Sequence, residues 1–226
     1  MSLDEEMLVC GVDDAGRGSV IGPLVIAGIL IDDNGADKLR TLEVKDSKLI
    51  SPARRSQLAP QIVDVALSHY VVRLSPAEID VVVETGTKLH RLNRLEAHAM
   101  AEVIAFLKPD VAYLDASDVL PGRYAEHVAE KVPFKVKLVS EHKADRTYPV
   151  VSAASIIAKV ERDKAVAELA KVHGNMGSGY PSDPETVTFL ESWLKIQGSF
   201  PEFVRRSWEP AKKAQASFSG FQRKLT

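Results

Sequence analysis

Eight residues near the N-terminus, Gly11-Val12-Asp13-Asp14-Ala15-Gly16-Arg17-Gly18, constrain the fold more than any other stretch. The apolar run from Met7 to Cys10 leads into them and predicts a buried strand over Met7 to Val12 that ends at the paired acids. Gly16 and Gly18 tolerate positive φ and close approach, so a turn follows. A second apolar run, Leu24 to Ile31, comes after Gly22-Pro23 and makes the opening a two-stranded hairpin. Two carboxylates, three glycines and an arginine serve no packed core. They suit a site that gathers metal ions and draws a charged backbone towards the main chain. Adjacent residues of a regular strand face opposite ways, so Asp13 and Asp14 can share a site only if the strand bends or ends between them.

Asp32-Asp33-Asn34-Gly35 then reads as a turn. Ser51 caps a helix with Pro52 in its first position, and Leu58, Ile62 and Val65 give it an apolar stripe. His69 to Leu74 is a Tyr- and Val-rich strand, and Ser75-Pro76-Ala77-Glu78 is a capping box that opens a short helix fading near Val83. The clearest helix spans Leu92 to Leu107 and stops at Lys108-Pro109. Val111 to Leu114 is a short strand that delivers Asp115, Tyr124 to Lys131 a helix, and Phe134, Val136 and Leu138 mark a half-exposed strand. Val150 to Val172 is a long helix ended by Gly174, and a glycine-rich loop runs to Tyr180. Asp183-Pro184-Glu185 starts another helix that Gly198 stops, and Pro201 begins a helical turn through Arg206. Strands alternating with helices behind a hairpin argue an α/β fold with a central mixed sheet flanked by helices. The expected division is an α/β domain over residues 1–172 and a helical extension with a basic tail over 173–226.

Composition narrows the function. The hydrophobic fraction, 45%, supports a real core, and 29 basic against 31 acidic residues leave no global field for nucleic acid. Any such binding must use a local patch. The single cysteine, Cys10, sits in the first apolar run and excludes both a disulfide framework and a thiolate-rich metal site. No apolar run is long enough to span a membrane, and Met1 to Glu6 lacks a secretory pattern, so a cytoplasmic protein is expected.

Four aspartates fall where an α/β sheet forms its ligand crevice: Asp13 and Asp14 at one strand end, Asp115 at another, and Asp145 before the long helix. Acids placed this way can converge on two divalent ions, which then stabilise the attacking and leaving oxygens of a phosphoryl displacement. Each alone also suits a cap or turn. Gly16, Gly18 and Gly22 do not make a dinucleotide fingerprint, because Ile21 stands where the third glycine is required and the acids precede the glycines. No phosphate-loop pattern is present.

The joint pattern is more specific. The opening stretch resembles the GxDEAGRG signature of ribonuclease HII, the type 2 ribonuclease H family, in its archaeal form. Lys45-Asp46-Ser47-Lys48, Tyr113-Leu114-Asp115, Glu141-His142-Lys143-Ala144-Asp145, Pro149 to Lys159 and Gly177-Ser178-Gly179-Tyr180-Pro181 match its further segments in order. The resemblance implies a ribonuclease H-like fold. It implies that Asp13, Asp14, Asp115 and Asp145 bind two magnesium ions, with manganese as a substitute. Gly16, Arg17 and Gly18 would contact the backbone and the 2′-hydroxyl at a ribonucleotide–deoxyribonucleotide junction, Tyr180 would stack on the following sugar, and Lys45 would hold a phosphate near the cut. The implied reaction opens the RNA strand of RNA–DNA hybrids and nicks duplex DNA 5′ to embedded ribonucleotides, leaving a 3′-hydroxyl and a 5′-phosphate. The 2′-hydroxyl is the group that tells RNA from DNA, and an aromatic face is a sequence-tolerant platform. Taken alone, Tyr180 fits a loop anchor equally well, and Arg17, Lys45 and Lys48 fit solvated surface. A monomer is expected, and no protein partner is predicted.

One residue departs from the family pattern. Asp14 stands where the signature has glutamate, which shortens the reach by one methylene. The alternative reading is therefore a catalytically weakened relative that still binds hybrid duplex. Lys48, Lys143, Arg205, Arg206, Lys212 and Lys213 are expected to contact duplex phosphates, against the blander reading of a solvated tail for the C-terminal four.

Overall fold

The computed structural model describes residues 6–42, 44, 50–85 and 91–225, with no side-chain description beyond 220. The expected α/β class is observed. Among the described residues five strands form one mixed sheet, β1 (Val9–Ala15), β2 (Leu24–Ile31), β3 (Ser68–Leu74), β4 (Val111–Asp115) and β5 (Lys137–Glu141), in the order β3-β2-β1-β4-β5. β1 and β2 form the antiparallel hairpin, while β1–β4 and β4–β5 are parallel. The helices are α1 (Asp33–Thr41), α2 (Pro52–Val65), α3 (Pro76–Thr85), α4 (Arg91–Leu107), α5 (Pro121–Ala129), α6 (Ala144–Thr147), α7 (Pro149–His173), α8 (Pro184–Gln197) and α9 (Glu209–Leu225).

The chain groups into two compact units, neither of them one continuous stretch. The first comprises Met1–Ala15, Val25–Val72 and Leu89–Val160; the second comprises Gly16–Leu24, Arg73–Lys88 and Glu161–Thr226. The expected division at 172–173 runs along the chain, whereas the unit boundaries cut between Ala15 and Gly16, in the middle of the opening motif. In the first unit, Val25, Ala27, Ile29 and Ile31 of β2 are buried with Val151, Ala154, Ile156 and Ala158 of α7. Gly11 lets α7 approach β1 closely, since a Cβ there would lie 2.4 Å from the Val150 carbonyl carbon. In the second unit, Val20 and Ile21 pack with Met176, Leu190, Leu194, Phe200 and Val204. Among the described residues no helix is long and apolar enough to cross a membrane.

Several local expectations need correction. β1 does not end at the acids but continues through Ala15, because Asp13, Asp14 and Ala15 pair with Ala27, Ile26 and Val25. Asp32 does not make an isolated turn; its carboxylate accepts from Gly35 N–H at 2.6 Å and caps α1. The same residue types serve both purposes. β5 starts at Lys137 rather than Phe134, since parallel pairing begins where Val111 of β4 meets Lys137. α5 begins at Pro121 and ends at Ala129, short of the expected Lys131. Pro201 to Arg206 is not helical. Val204 bridges Ile21, Gly22 N–H donates to Phe203 O at 2.9 Å, and Arg205 N–H donates to Val20 O at 2.9 Å. Those main-chain groups are committed to the 20–22 segment and cannot close helical turns.

Asp118 fixes the chain between β4 and α5. It is buried, and its carboxylate accepts from Arg123, from Leu120 N–H at 2.9 Å and from Asn93 at 2.9 Å. Burial alone would raise its pKa; the bonds from Arg123, Leu120 and Asn93 outweigh it and hold the carboxyl well below the ordinary range. Its stabilisation is thus complete above the unfolded carboxyl value and is lost as pH falls towards the folded one. Asp118→Ala should cost about 2 kcal/mol, because Leu120 N–H, Asn93 and the partly exposed Arg123 lose their shared acceptor. Urea unfolding checks this: the gap between wild type and variant should be wider at about pH 7 than at about pH 3.

Candidate active site

The parallel β1–β4–β5 core brings its carboxyl ends to one edge. β1 carries Asp13 and β4 ends in Asp115. After β5, Lys143 adopts a left-handed conformation (φ 59°), which turns the chain into α6. Ala144 N–H then donates to Asp115 Oδ1 at 3.0 Å, and Asp145 occupies the first turn of α6. Oxygens of Asp13, Asp115 and Asp145 all lie within 4.8 Å of one another. Three of the four expected acids are therefore gathered. Asp14 is half-buried and stands outside this group, in keeping with the alternation of a strand that stays regular through Ala15.

The electrostatics fit a cation. Asp13 is 4% exposed and Asp145 is 2% exposed. Burial, then the charge of Asp115, pushes the Asp13 carboxyl up to about 7, against the opposing pull of Lys159, Ser155 and the Asp14 N–H. That N–H donates to Asp13 Oδ1 at 2.7 Å. Asp145 Oδ1 is buried with no hydrogen-bond partner among the described residues. A cluster of carboxylates, two buried and Asp115 half-buried, with one oxygen of Asp145 unsatisfied, is the hard-oxygen donor set that a divalent ion takes.

The expected substrate residues of the opening and late loops belong to the second unit. Gly16 is buried with φ 87°, Arg17 half-buried and Gly18 exposed. The loop carrying Tyr180 is bonded to this turn, with Val20 N–H and Ile21 N–H both donating to Gly179 O, at 2.8 and 3.2 Å. Tyr180 is half-buried. Lys45 and Lys48 lie outside the described residues. Lys143 and Arg206 are exposed, and Lys212 and Lys213 lie exposed on α9, where Lys213 approaches Glu209 at 3.6 Å.

Arg205 does not take the role expected of it. It is 0% exposed and cannot grip a duplex as expected. Its guanidinium donates to Arg17 O at 2.8 Å and to Gly22 O at 3.1 Å, holding both ends of the Arg17–Gly22 turn. Three further residues escaped sequence reasoning. Ser155 and Lys159 of α7 act on Asp13, and Lys159 donates to Ser155. Arg162 is buried in the second unit. The available signal was polar and charged residues punctuating the otherwise apolar Val150 to Val166 run.

A mixed sheet flanked by helices, with three acids gathered at its strand ends, suits metal-dependent phosphoryl chemistry. The family model for Ribonuclease HII matches residues 10–211. Ribonuclease HII of Thermococcus sibiricus is 47% identical over 92% of this chain and 92% of its own length. The crystal structure of ribonuclease H2 from Pyrococcus horikoshii OT3 superposes with a TM-score of 0.86 at 43% identity, covering 94% of this chain and 99% of that one. The ribonuclease HII of Archaeoglobus fulgidus, solved in complex with PCNA, gives 0.81 at 41% identity, covering 92% and 96%. The chain belongs to the ribonuclease HII family.

Proposed function

We propose that the protein is an endonuclease that hydrolyses the RNA strand of RNA–DNA hybrids and nicks duplex DNA 5′ to embedded ribonucleotides, leaving a 3′-hydroxyl and a 5′-phosphate. The observation that carries this reading is the Asp13–Asp115–Asp145 cluster, two of its carboxylates buried and Asp115 half-buried, at the strand ends of a ribonuclease HII chain. Two magnesium or manganese ions there would activate water and neutralise the charge that builds on the phosphate oxygens. The protein's own part is orientation. Ala144 N–H fixes Asp115, Asp14 N–H and Ser155 fix Asp13, and Lys159 offsets part of the negative charge. Gly16, Arg17 and Gly18 would meet the 2′-hydroxyl and its backbone, Tyr180 the following sugar, and Lys45, Lys48, Lys143, Arg206, Lys212 and Lys213 the duplex phosphates. A hybrid duplex incubated with magnesium tests the reading. Cleavage confined to the RNA strand, with 3′-hydroxyl and 5′-phosphate ends, is expected; cuts in the DNA strand or opposite end chemistry would reject it.

Asp14 favours a second reading, a slow member of the family, because the aspartate is shorter than the signature's glutamate and lies outside the acid cluster. A carboxylate misplaced by about 1 Å can cost about a hundredfold in a positioned reaction. Asp14→Glu is accordingly expected to raise the magnesium-supported rate by about tenfold or more. Equal rates and equal preference between magnesium and manganese would remove this reading.

A further inference from the structure

Arg162 has no part in the acid cluster, yet in the second unit it touches both loops expected to read the ribose. It is 3% exposed. Its guanidinium donates to Ser178 O and lies 4.5 Å from the centroid of the Tyr180 ring. A Cβ on Gly179 would come within 2.8 Å of its Nη2, and a Cβ on Gly16 within 3.2 Å of its Cγ. One side chain thus lies against Gly16 of the opening motif and against Ser178, Gly179 and Tyr180 of the late loop. The fit requires glycine at both positions, where φ is 87° and 79°.

Packing alone does not ask for arginine here. Burying a guanidinium forfeits hydration, and Nε finds no hydrogen-bond partner among the described residues. The carboxylate that approaches it among the described residues, Asp163 at 3.3 Å, is itself 44% exposed. A methionine would fill similar space without that cost. What arginine alone supplies is a planar cationic face for an aromatic ring together with a rigid donor for a backbone carbonyl. Those two contacts bear on Tyr180 and on the loop that carries it.

We propose that Arg162 is a positioning residue for ribonucleotide discrimination: it holds the Tyr180 ring and the Gly16 turn in the relation that a ribose junction requires, and touches no substrate itself. The inference rests on the reading of Gly16–Gly18 and Tyr180 as the ribose-sensing residues. Lysine is no equivalent, since it keeps the charge and a donor but lacks the planar face.

The test compares binding of two duplexes, one all-DNA and one with a single central ribonucleotide, by fluorescence anisotropy in EDTA and in calcium, with strand integrity checked on a gel. Wild type should favour the ribonucleotide duplex. Arg162→Met should lower that preference by about tenfold, and Arg162→Lys by less, with both proteins folded by circular dichroism. In a Tyr180→Ala background, Arg162→Met should change the preference less than about twofold, because the ring it orients is gone. If Arg162→Met fails to fold, Arg162→Lys carries both comparisons. An unchanged preference in the variant, or an undiminished loss in the Tyr180→Ala background, would overturn the positioning role. Absence of any preference in wild type would instead overturn the ribose-sensing reading, and the inference with it.

Discussion

At about pH 8, Asp13→Asn is expected to cut at least about a thousandfold more slowly than wild type and yet, free of metal, to be the more stable protein. The first effect follows from removing a central oxygen donor of the cluster; a thousandfold corresponds to about 4 kcal/mol of transition-state stabilisation. The second follows from the charge it removes. Burial and Asp115 raise the folded-state pKa of Asp13 to about 7, above its ordinary value of 3.8. The folded state therefore binds that proton more tightly than the unfolded chain does. The stabilisation is fully present below about pH 4, is lost as pH rises towards 7, and stays lost above. Asparagine carries no such charge. The stability gap between variant and wild type should open between about pH 5 and pH 8 in EDTA, by an amount on the order of a few kcal/mol. Magnesium should close it by stabilising wild type alone. Urea melts at both pH values, with and without metal, check this; a gap that ignores pH and metal would mean that Asp13 is not a strained carboxylate.

Gly11→Ala should cause a large loss of stability for so small a change. The added Cβ would stand 2.4 Å from the Val150 carbonyl carbon and oxygen and 2.6 Å from Val151 N, all of them backbone. No rotamer relieves a clash with main chain, so α7 must move off β1. Overpacking of this kind costs about 3 kcal/mol, equivalent to a drop of roughly 6–12 °C in Tm for a protein of this size. Activity should fall by more than stability explains, because α7 also carries Ser155 and Lys159, which act on Asp13. Thermal melts and cutting rates at a temperature where the variant stays folded separate the two effects. A Tm within about 2 °C of wild type would contradict the close packing of α7 on β1.

Asp13, Asp115 and Asp145 were legible because strand ends and helix starts can be read from apolar runs and from the residues that break them. The hairpin, α2, α4, α7 and α8 were legible for the same reason. Asp14 was harder. The sequence left its placement conditional on where β1 ended, and only the pairing of Asp14 with Ile26 and of Ala15 with Val25 shows a regular strand there. Arg205 was misjudged because charge run and basic tail look alike in one dimension. Its carbonyl acceptors, Arg17 and Gly22, lie more than 180 residues away. Arg162 escaped for a related reason: nothing in a helix sequence announces that a guanidinium will be stacked on a tyrosine 18 positions later. Long-range partners of buried polar groups are set by tertiary packing, and local pattern does not encode them.

The most direct measurement is a duplex DNA carrying one central ribonucleotide, incubated with magnesium and resolved at single-nucleotide resolution beside the all-DNA duplex. One nick is expected, immediately 5′ to the ribonucleotide, which EDTA abolishes and Asp13→Asn suppresses, with the all-DNA duplex intact. A nick elsewhere, or cleavage of both duplexes alike, would contradict it.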